Sequence, residues 1–314
     1  MGSEHRSPRT RANESAARSE CVIRRPYAPA QSLSIVGLGA MALVGLPVQR
    51  AQRLAEDALA RGVNYFDVAP SYGGGEAEEK LGLVLPPHRD RIFLAGKTLQ
   101  RSSAGALLEL DQSLRRLSTD RFDLYQFHAV NTADDIGKIF APGGAMDAFA
   151  QARQDGRIRF IGFSSHSVPA ALAMMERFRF DSVLFPVNYV CYARGNFGPQ
   201  VLEKARRLGI TCLALKALAA SPWRKGEARP YPNCWYRPIE DPDLALQALR
   251  FTLTEDVCAL LPPGDERLVR LAIELSPRAS PLSGEERSQL LASTAGLKPI
   301  LWFKNTRSWY FPKP

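Results

Sequence analysis

Three successive apolar runs end on residues able to do chemistry. Residues 63–66 close on Asp67, and Tyr72 follows in a loop that Pro70 keeps from continuing as a central strand. Residues 92–96 close on Lys97, and residues 122–127 close on His128. If the runs are parallel strands, a carboxylate, a phenol, an ammonium and an imidazole meet at one rim. A free tyrosine, with a pKa of about 10, is a poor acid at neutral pH. A neighbouring ammonium favours the ionised phenol and lowers that pKa. Lys97 is therefore expected to make Tyr72 an effective general acid, and Asp67 to keep Lys97 charged and in place. His128 is expected to donate a second hydrogen bond to the oxygen that receives the proton. Alone, each residue has a structural explanation: a surface ring, a solvated lysine, a satisfied histidine, an aspartate bonded to loop amides. Their order on three consecutive strand ends is what points to a site.

The elements that must position them follow from hydrophobic periodicity. Strand-like runs begin near residues 33, 63, 92, 122, 158, 182, 210 and 257. A helical pattern separates each from the next, and in the last gap a long loop over residues 219–242 precedes the helix. Pro47 opens one helix; Ser103 caps another whose Leu107, Leu110, Leu114 and Leu117 recur at helical spacing; Gly209 ends a third. Short, continuously apolar strands alternating with amphipathic helices mean parallel strands buried on both faces. Eight such units predict an α/β fold of the closed kind, an eight-stranded parallel (β/α)8 TIM barrel, whose chemistry sits at the C-terminal strand ends. An open dinucleotide-binding sheet is disfavoured, because Gly37 and Gly39 lack the third glycine and the following acid of that fingerprint.

Composition sets the wider bounds. A chain of 314 residues, 45% hydrophobic and 23% charged, can bury one large core. We expect a polar, disordered, basic arm over residues 1–24 and a single barrel over residues 25–314 that ends in an aromatic tail. The formal charge of +9 is spread along the chain as arginines and accompanies no nucleic-acid-binding signature. The arm lacks the apolar segment of a secretory signal, and no apolar run approaches the ~20 residues that span a bilayer. Five cysteines without a CxxC pair read as a reducing, cytoplasmic setting with no disulfide framework or metal site. The expected partners are a small molecule and at most a second copy, as a monomer or weak homo-oligomer, with no nucleic acid and no membrane.

The runs GLGAMALVG, FDVAPSYGGGEAEEKLG, LAGKT, DLYQFH and IRFIGFSSHS resemble the aldo-keto reductases in order and spacing, over residues 34–271. The resemblance implies a (β/α)8 barrel that reduces an aldehyde or ketone with NADPH, NADH being possible. It implies Tyr72 as general acid, Lys97 and Asp67 as its tuning pair, and His128 as the residue that orients the carbonyl. Hydride delivery to a carbonyl carbon creates an alkoxide that needs a proton, and the hydride must come from a cofactor.

For the cofactor, the resemblance implies Gly39 and Met41 after the first strand, and Ser164 and Ser165 after the fifth, where relatives have serine then asparagine. At strand six the family's glutamine aligns with Leu184, and Asn188 is a substitute. At strand seven Leu215 takes the place of an aromatic ring, followed by Lys216 and Leu218; Lys216 suits a pyrophosphate as a point charge, or else a structural salt bridge. After strand eight, Gly264 opens a helix N-terminus suited to phosphate, with Arg267 or Arg270 for a 2′-phosphate and Asp265 and Glu266 in the same turn. The long segment 219–242 and the tail 299–314 carry aromatic residues that would cover a cofactor, line a substrate pocket or simply pack. Leu184 and Leu215 also motivate an alternative: a catalytically weak barrel acting as a cofactor-sensing or protein-binding regulator.

Overall fold

Eight parallel strands follow one another round a barrel in the computed structural model, which describes residues 21–303. They are β3 (Leu38–Gly39), β4 (Tyr65–Asp67), β5 (Phe93–Thr98), β6 (Phe122–Phe127), β7 (Ile158–Ser164), β8 (Ser182–Pro186), β9 (Thr211–Leu215) and β12 (Val257–Leu261). Each pairs with the next in that order, and a parallel bridge between Val36 and Leu260 joins the last to the first. Gly37 donates to the Leu260 carbonyl at 2.9 Å and Leu260 to the Ile35 carbonyl at 2.8 Å, completing the ring. The expected α/β barrel is thus the fold found.

Helices form the outer layer, each with a recognisable start. Pro47 precedes α1 (Val48–Ala60), and Ser102, rather than the expected Ser103, accepts from the Gly105 amide to cap the helix α3 (Ser103–Arg116). Asp241 caps α9 (Pro242–Thr254), and Asp265 caps α10 (Glu266–Leu275). Alanines and leucines on their inner faces, such as Leu54 and Leu110, pack on the strands' outward side chains. The inward side chains form a second, separate cluster in which Tyr65, Phe93, Leu124, Leu184, Leu213 and Ala259 fill the barrel. This two-sided burial is the reason the strands read as continuous apolar runs.

Three details differ from expectation. The run beginning near residue 33 is split. Gln31–Ser34 (β2) pairs antiparallel with Arg24–Ala28 (β1), and only Leu38–Gly39 enters the barrel. The cause is polar: Ser34 exchanges bonds with Asn64, its amide donating to Oδ1 at 2.6 Å and its Oγ accepting from the Asn64 amide at 3.1 Å. Order also begins before residue 25, since Val22 is buried and donates to the Arg61 carbonyl at 3.0 Å. Residues 1–20 of the expected arm, and Trp309, Tyr310 and Phe311 of the tail, lie outside the described residues. Finally, segment 219–242 is not all loop: Ala219–Pro222 (β10) pairs with Tyr236–Pro238 (β11).

The β1–β2 hairpin closes the barrel at the N-terminal ends of its strands. Tyr27 enters the interior cluster, edges against Phe93 with centroids 4.8 Å apart, and donates to Ser182 Oγ at 3.0 Å. Arg25 donates to the Leu253 and Val257 carbonyls, each at 2.8 Å. The Tyr27 ring is a plug whose removal leaves a cavity. Tyr27→Ala should cost about 3–5 kcal/mol and Tyr27→Phe about 1 kcal/mol, read from urea denaturation. Equal stability of the alanine variant would show that the hairpin does not seal the core.

Candidate active site

Alternation along the strands decides what reaches the mouth. Tyr65 and Asp67 on β4, Phe93, Ala95 and Lys97 on β5, and Leu124, Gln126 and His128 on and just after β6 occupy successive inward positions. The apolar member of each series fills the barrel, and the last member stands at its C-terminal rim. Asp67 and Lys97 form an ion pair there, with both side chains 1% exposed. Asp67 also accepts from Gln126 Nε2 at 3.3 Å and Tyr65 Oη at 3.4 Å. The carboxylate is therefore saturated, which is what a buried charge requires.

Lys97 Nζ donates to Tyr72 Oη at 3.2 Å and to the Val68 carbonyl at 3.4 Å. Tyr72 starts a tight turn, Tyr72–Gly75, in which Gly73 and Gly74 have φ of +64° and Gly75 has φ of +104°. Three successive left-handed positions suit glycine alone, and they fold the loop back over Lys97. Behind the turn, Arg116 pairs with the buried Glu78 at 3.0 Å and packs so closely that a Cβ on Gly75 would lie 2.9 Å from its guanidinium. His128 meets the Tyr72 ring edge-on, with centroids 5.8 Å apart and planes at 83°. Arg101 holds its carbonyl at 2.7 Å, and the buried Nδ1 of His128 has no protein partner.

The electrostatics qualify the expectation about Tyr72. Burial raises its pKa above 10.0; Lys97 pulls in the other direction without overcoming that. In the protein alone Tyr72 is thus a retained proton donor rather than an acidified phenol. Burial likewise pushes Asp67 above its ordinary value, restrained by Lys97. Burial disfavours the Lys97 ammonium, but Asp67 and Tyr72 more than offset it, and its pKa stands above 10.5. Burial, then the charges of Lys97, His166 and Arg101, holds His128 well below 6.5, so the imidazole is neutral at pH 7.

The expected cofactor positions are unequally free. Ser164 Oγ accepts from the Ala129 amide at 2.8 Å, next to His128. Ser165 Oγ accepts from the Ser167 amide at 3.0 Å and donates to the Ser167 carbonyl at 3.1 Å, so it is committed to the turn into α6 (Val168–Arg177). Asn188 is fully employed: Oδ1 accepts from the Val190 and Cys191 amides, and the two Nδ2 hydrogens go to the Lys216 and Ala219 carbonyls at 3.1 and 2.8 Å. Leu184 lies inside the barrel cluster, Leu215 packs against it, and Leu218 is buried, its carbonyl accepting from Ile239 at 2.8 Å. Gly39 ends β3, and Met41 lies so near Gly264 that a Cβ there would approach its Cγ to 2.7 Å. Arg267 is tied to Asp265 and to the Pro230 carbonyl at 2.9 Å and lies over the Tyr231 ring; Arg270 pairs with Asp57 at 2.6 Å.

Lys216 stands apart. It has φ of +67°, lies over the rings of Tyr236 at 4.7 Å and Trp235 at 5.3 Å, and has no carboxylate partner among the described residues. Burial pushes its pKa down to about 8. Neighbouring His166 is held down to about 3 by burial and by Lys216. Sequence reasoning missed Gln126 and Tyr65 as supports of Asp67, although each sits two residues before a site residue in its strand. It also missed His166 and Arg101, whose roles depend on contacts between separate loops.

His128 and His166 set a pH dependence of stability. Unfolded histidine titrates near 6.5, and both are lowered in the fold, so the unfolded state binds more protons below that value. Their contribution is complete above about pH 6.5 and is lost as pH falls. Urea midpoints should therefore decrease from about pH 7.5 to about pH 5, and His166→Gln should flatten the slope; a wild-type midpoint independent of pH would contradict the burial of both rings.

Comparisons with known proteins bear on the fold and the family. The model of the Aldo/keto reductase family matches residues 35–260. An uncharacterized oxidoreductase of Bacillus subtilis, YqkF, is 34% identical over 145 residues, which are 42% of this chain and 45% of that protein. The chain spans about half the length of the curated relatives it matches. The holo form of an aldo-keto reductase from Bacillus halodurans superposes with a TM-score of 0.69 at 24% identity, covering 90% of this chain and 98% of that one. An aldo-keto reductase from Klebsiella pneumoniae, solved in complex with NADPH, gives 0.68 at 18% identity, covering 91% and 99%. At these identities the structural likeness establishes the fold. The family match, which covers well over half of the chain, shows that the protein belongs to the aldo/keto reductase family, a family of oxidoreductases.

Proposed function

We propose that the protein reduces an aldehyde or ketone to an alcohol with NADPH, Tyr72 acting as the proton donor. The observation that carries this reading is the preassembled group at the rim: a protonated Tyr72 bonded to the buried Lys97–Asp67 pair and flanked by a neutral His128 whose Nδ1 has no partner. When bound, the nicotinamide supplies the hydride. Tyr72 Oη gives its proton to the carbonyl oxygen as negative charge builds there, and Lys97 stabilises the phenolate that remains. His128 donates a second hydrogen bond to that oxygen and orients it. Asp67, saturated by Gln126 and Tyr65, keeps Lys97 charged and in place.

The protein's residues also suit the cofactor's anionic part. Lys216 is a desolvated cation without a carboxylate partner among the described residues, a costly state that a phosphate would relieve. Ser164 stands beside His128 for the carboxamide, and Gly264 opens the turn into α10. Arg267 and Arg270 reach a 2′-phosphate only by leaving Asp265 and Asp57.

Two outcomes test this reading. Tyr72→Phe should lower kcat by about 10²–10⁴-fold while leaving NADPH affinity nearly unchanged, measured by turnover of a carbonyl panel and by calorimetry; undiminished turnover would refute the assignment. Lys216→Met should weaken NADPH binding, and wild-type affinity should fall as pH rises through about 8, where the free ammonium is lost. Affinity unaffected by both changes would remove Lys216 from the cofactor site.

A further inference from the structure

A second polar cavity, of about 620 Å³, lies on the opposite, N-terminal face of the barrel. It is bounded by the tip of the β1–β2 hairpin and the turns that enter β4, β5, β6 and β7. Five arginines line it, Arg24, Arg89, Arg91, Arg121 and Arg159, against two carboxylates, Asp90 and Asp123. Two of the five are already neutralised. Arg89 is buried, pairs with Asp123 at 2.8 Å and donates to the Arg121 carbonyl at 2.9 Å. Arg121 pairs with Asp90 at 2.7 Å and Asp120 at 3.1 Å.

The other three are held by neutral groups. Arg159 lies over the Phe160 ring at 4.7 Å and donates to Gln31 Oε1 at 3.3 Å. Arg91 contacts His88 Nδ1 at 2.7 Å, and among the described residues Arg24 donates to the Gly62 carbonyl at 3.5 Å. Such contacts aim a guanidinium without cancelling its charge. Neither the fold nor the proposed reaction, at the other rim, uses these three charges.

We propose that this groove binds an oligophosphate anion. Guanidinium forks match phosphate oxygens bidentately, and Arg holds that geometry better than Lys. One exposed ion pair is worth only ~0–1 kcal/mol, so a lone phosphate gains little. A chain of linked phosphates engages Arg24, Arg91 and Arg159 together, the later contacts being intramolecular once the first has formed. The cavity's volume falls within the ~300–1,000 Å³ usual for small-ligand sites. The separation of the two rims makes the site independent of the cofactor's own phosphates.

The test is calorimetric titration of the full chain with sodium tripolyphosphate at about 50 mM salt, with and without NADPH. One-to-one binding is expected, unchanged by NADPH and weakened at least about tenfold in the double variant Arg91→Ala/Arg159→Ala. That variant should retain wild-type NADPH affinity and thermal midpoint. No heat with tripolyphosphate, undiminished binding by the variant, or displacement by NADPH would overturn the proposal. So would a single-stranded oligonucleotide that binds more tightly than tripolyphosphate to wild type and variant alike. The comparison between wild type and variant decides the groove whether or not NADPH binds.

Discussion

A single buried ion pair, Asp67 with Lys97, is the constraint around which the mouth of this barrel is arranged. Two charges that are 1% exposed must compensate one another or be lost, and removing one partner leaves an uncompensated charge costing about 3–5 kcal/mol. Gln126 and Tyr65 saturate the carboxylate from below, and Tyr72 and the Val68 carbonyl occupy the ammonium. The position of the tyrosine hydroxyl is thus a consequence of satisfying a buried lysine. The three left-handed glycines after it are the backbone needed to bring it there.

The same pair explains why proximity to a cation does not by itself acidify the tyrosine. Lys97 favours phenolate, but Asp67 lies on its other side and the surroundings are dry, so burial dominates and the phenol keeps its proton. A proton held until charge develops on a neighbouring oxygen is compatible with general acid catalysis, in which transfer accompanies the charge rather than preceding it.

The barrel separates two chemically distinct rims. At the C-terminal rim the charges of Asp67 and Lys97 are buried and compensate one another. At the N-terminal rim charge is exposed and partly uncompensated, carried by arginines on the turns that enter the strands. Between the rims, the interior is apolar, with Tyr27 closing one end. This layer of Tyr65, Phe93, Leu124, Leu184 and Leu213 includes Leu184, the position at which the resemblance implied a glutamine.

The fold and the meeting of Asp67, Tyr72, Lys97 and His128 at one rim were legible in the chain because both depend on local pattern. Short, continuously apolar runs separated by amphipathic helical patterns, and the number of such runs, determined the barrel and set Asp67, Lys97 and His128 at strand ends. What was not legible rests on pairings between distant segments. The division of the first run between β2 and β3 depends on Ser34 and Asn64 finding each other across thirty positions. The commitment of Asn188 to carbonyls near residue 217, and of Arg267 to Pro230, likewise has no local signature. By itself the sequence determined that Asp67, Tyr72, Lys97 and His128 meet at one rim, and their order around the barrel. Only the tertiary structure decided which of them remain free to meet a ligand, because a polar group's availability depends on who already shares its hydrogen bonds.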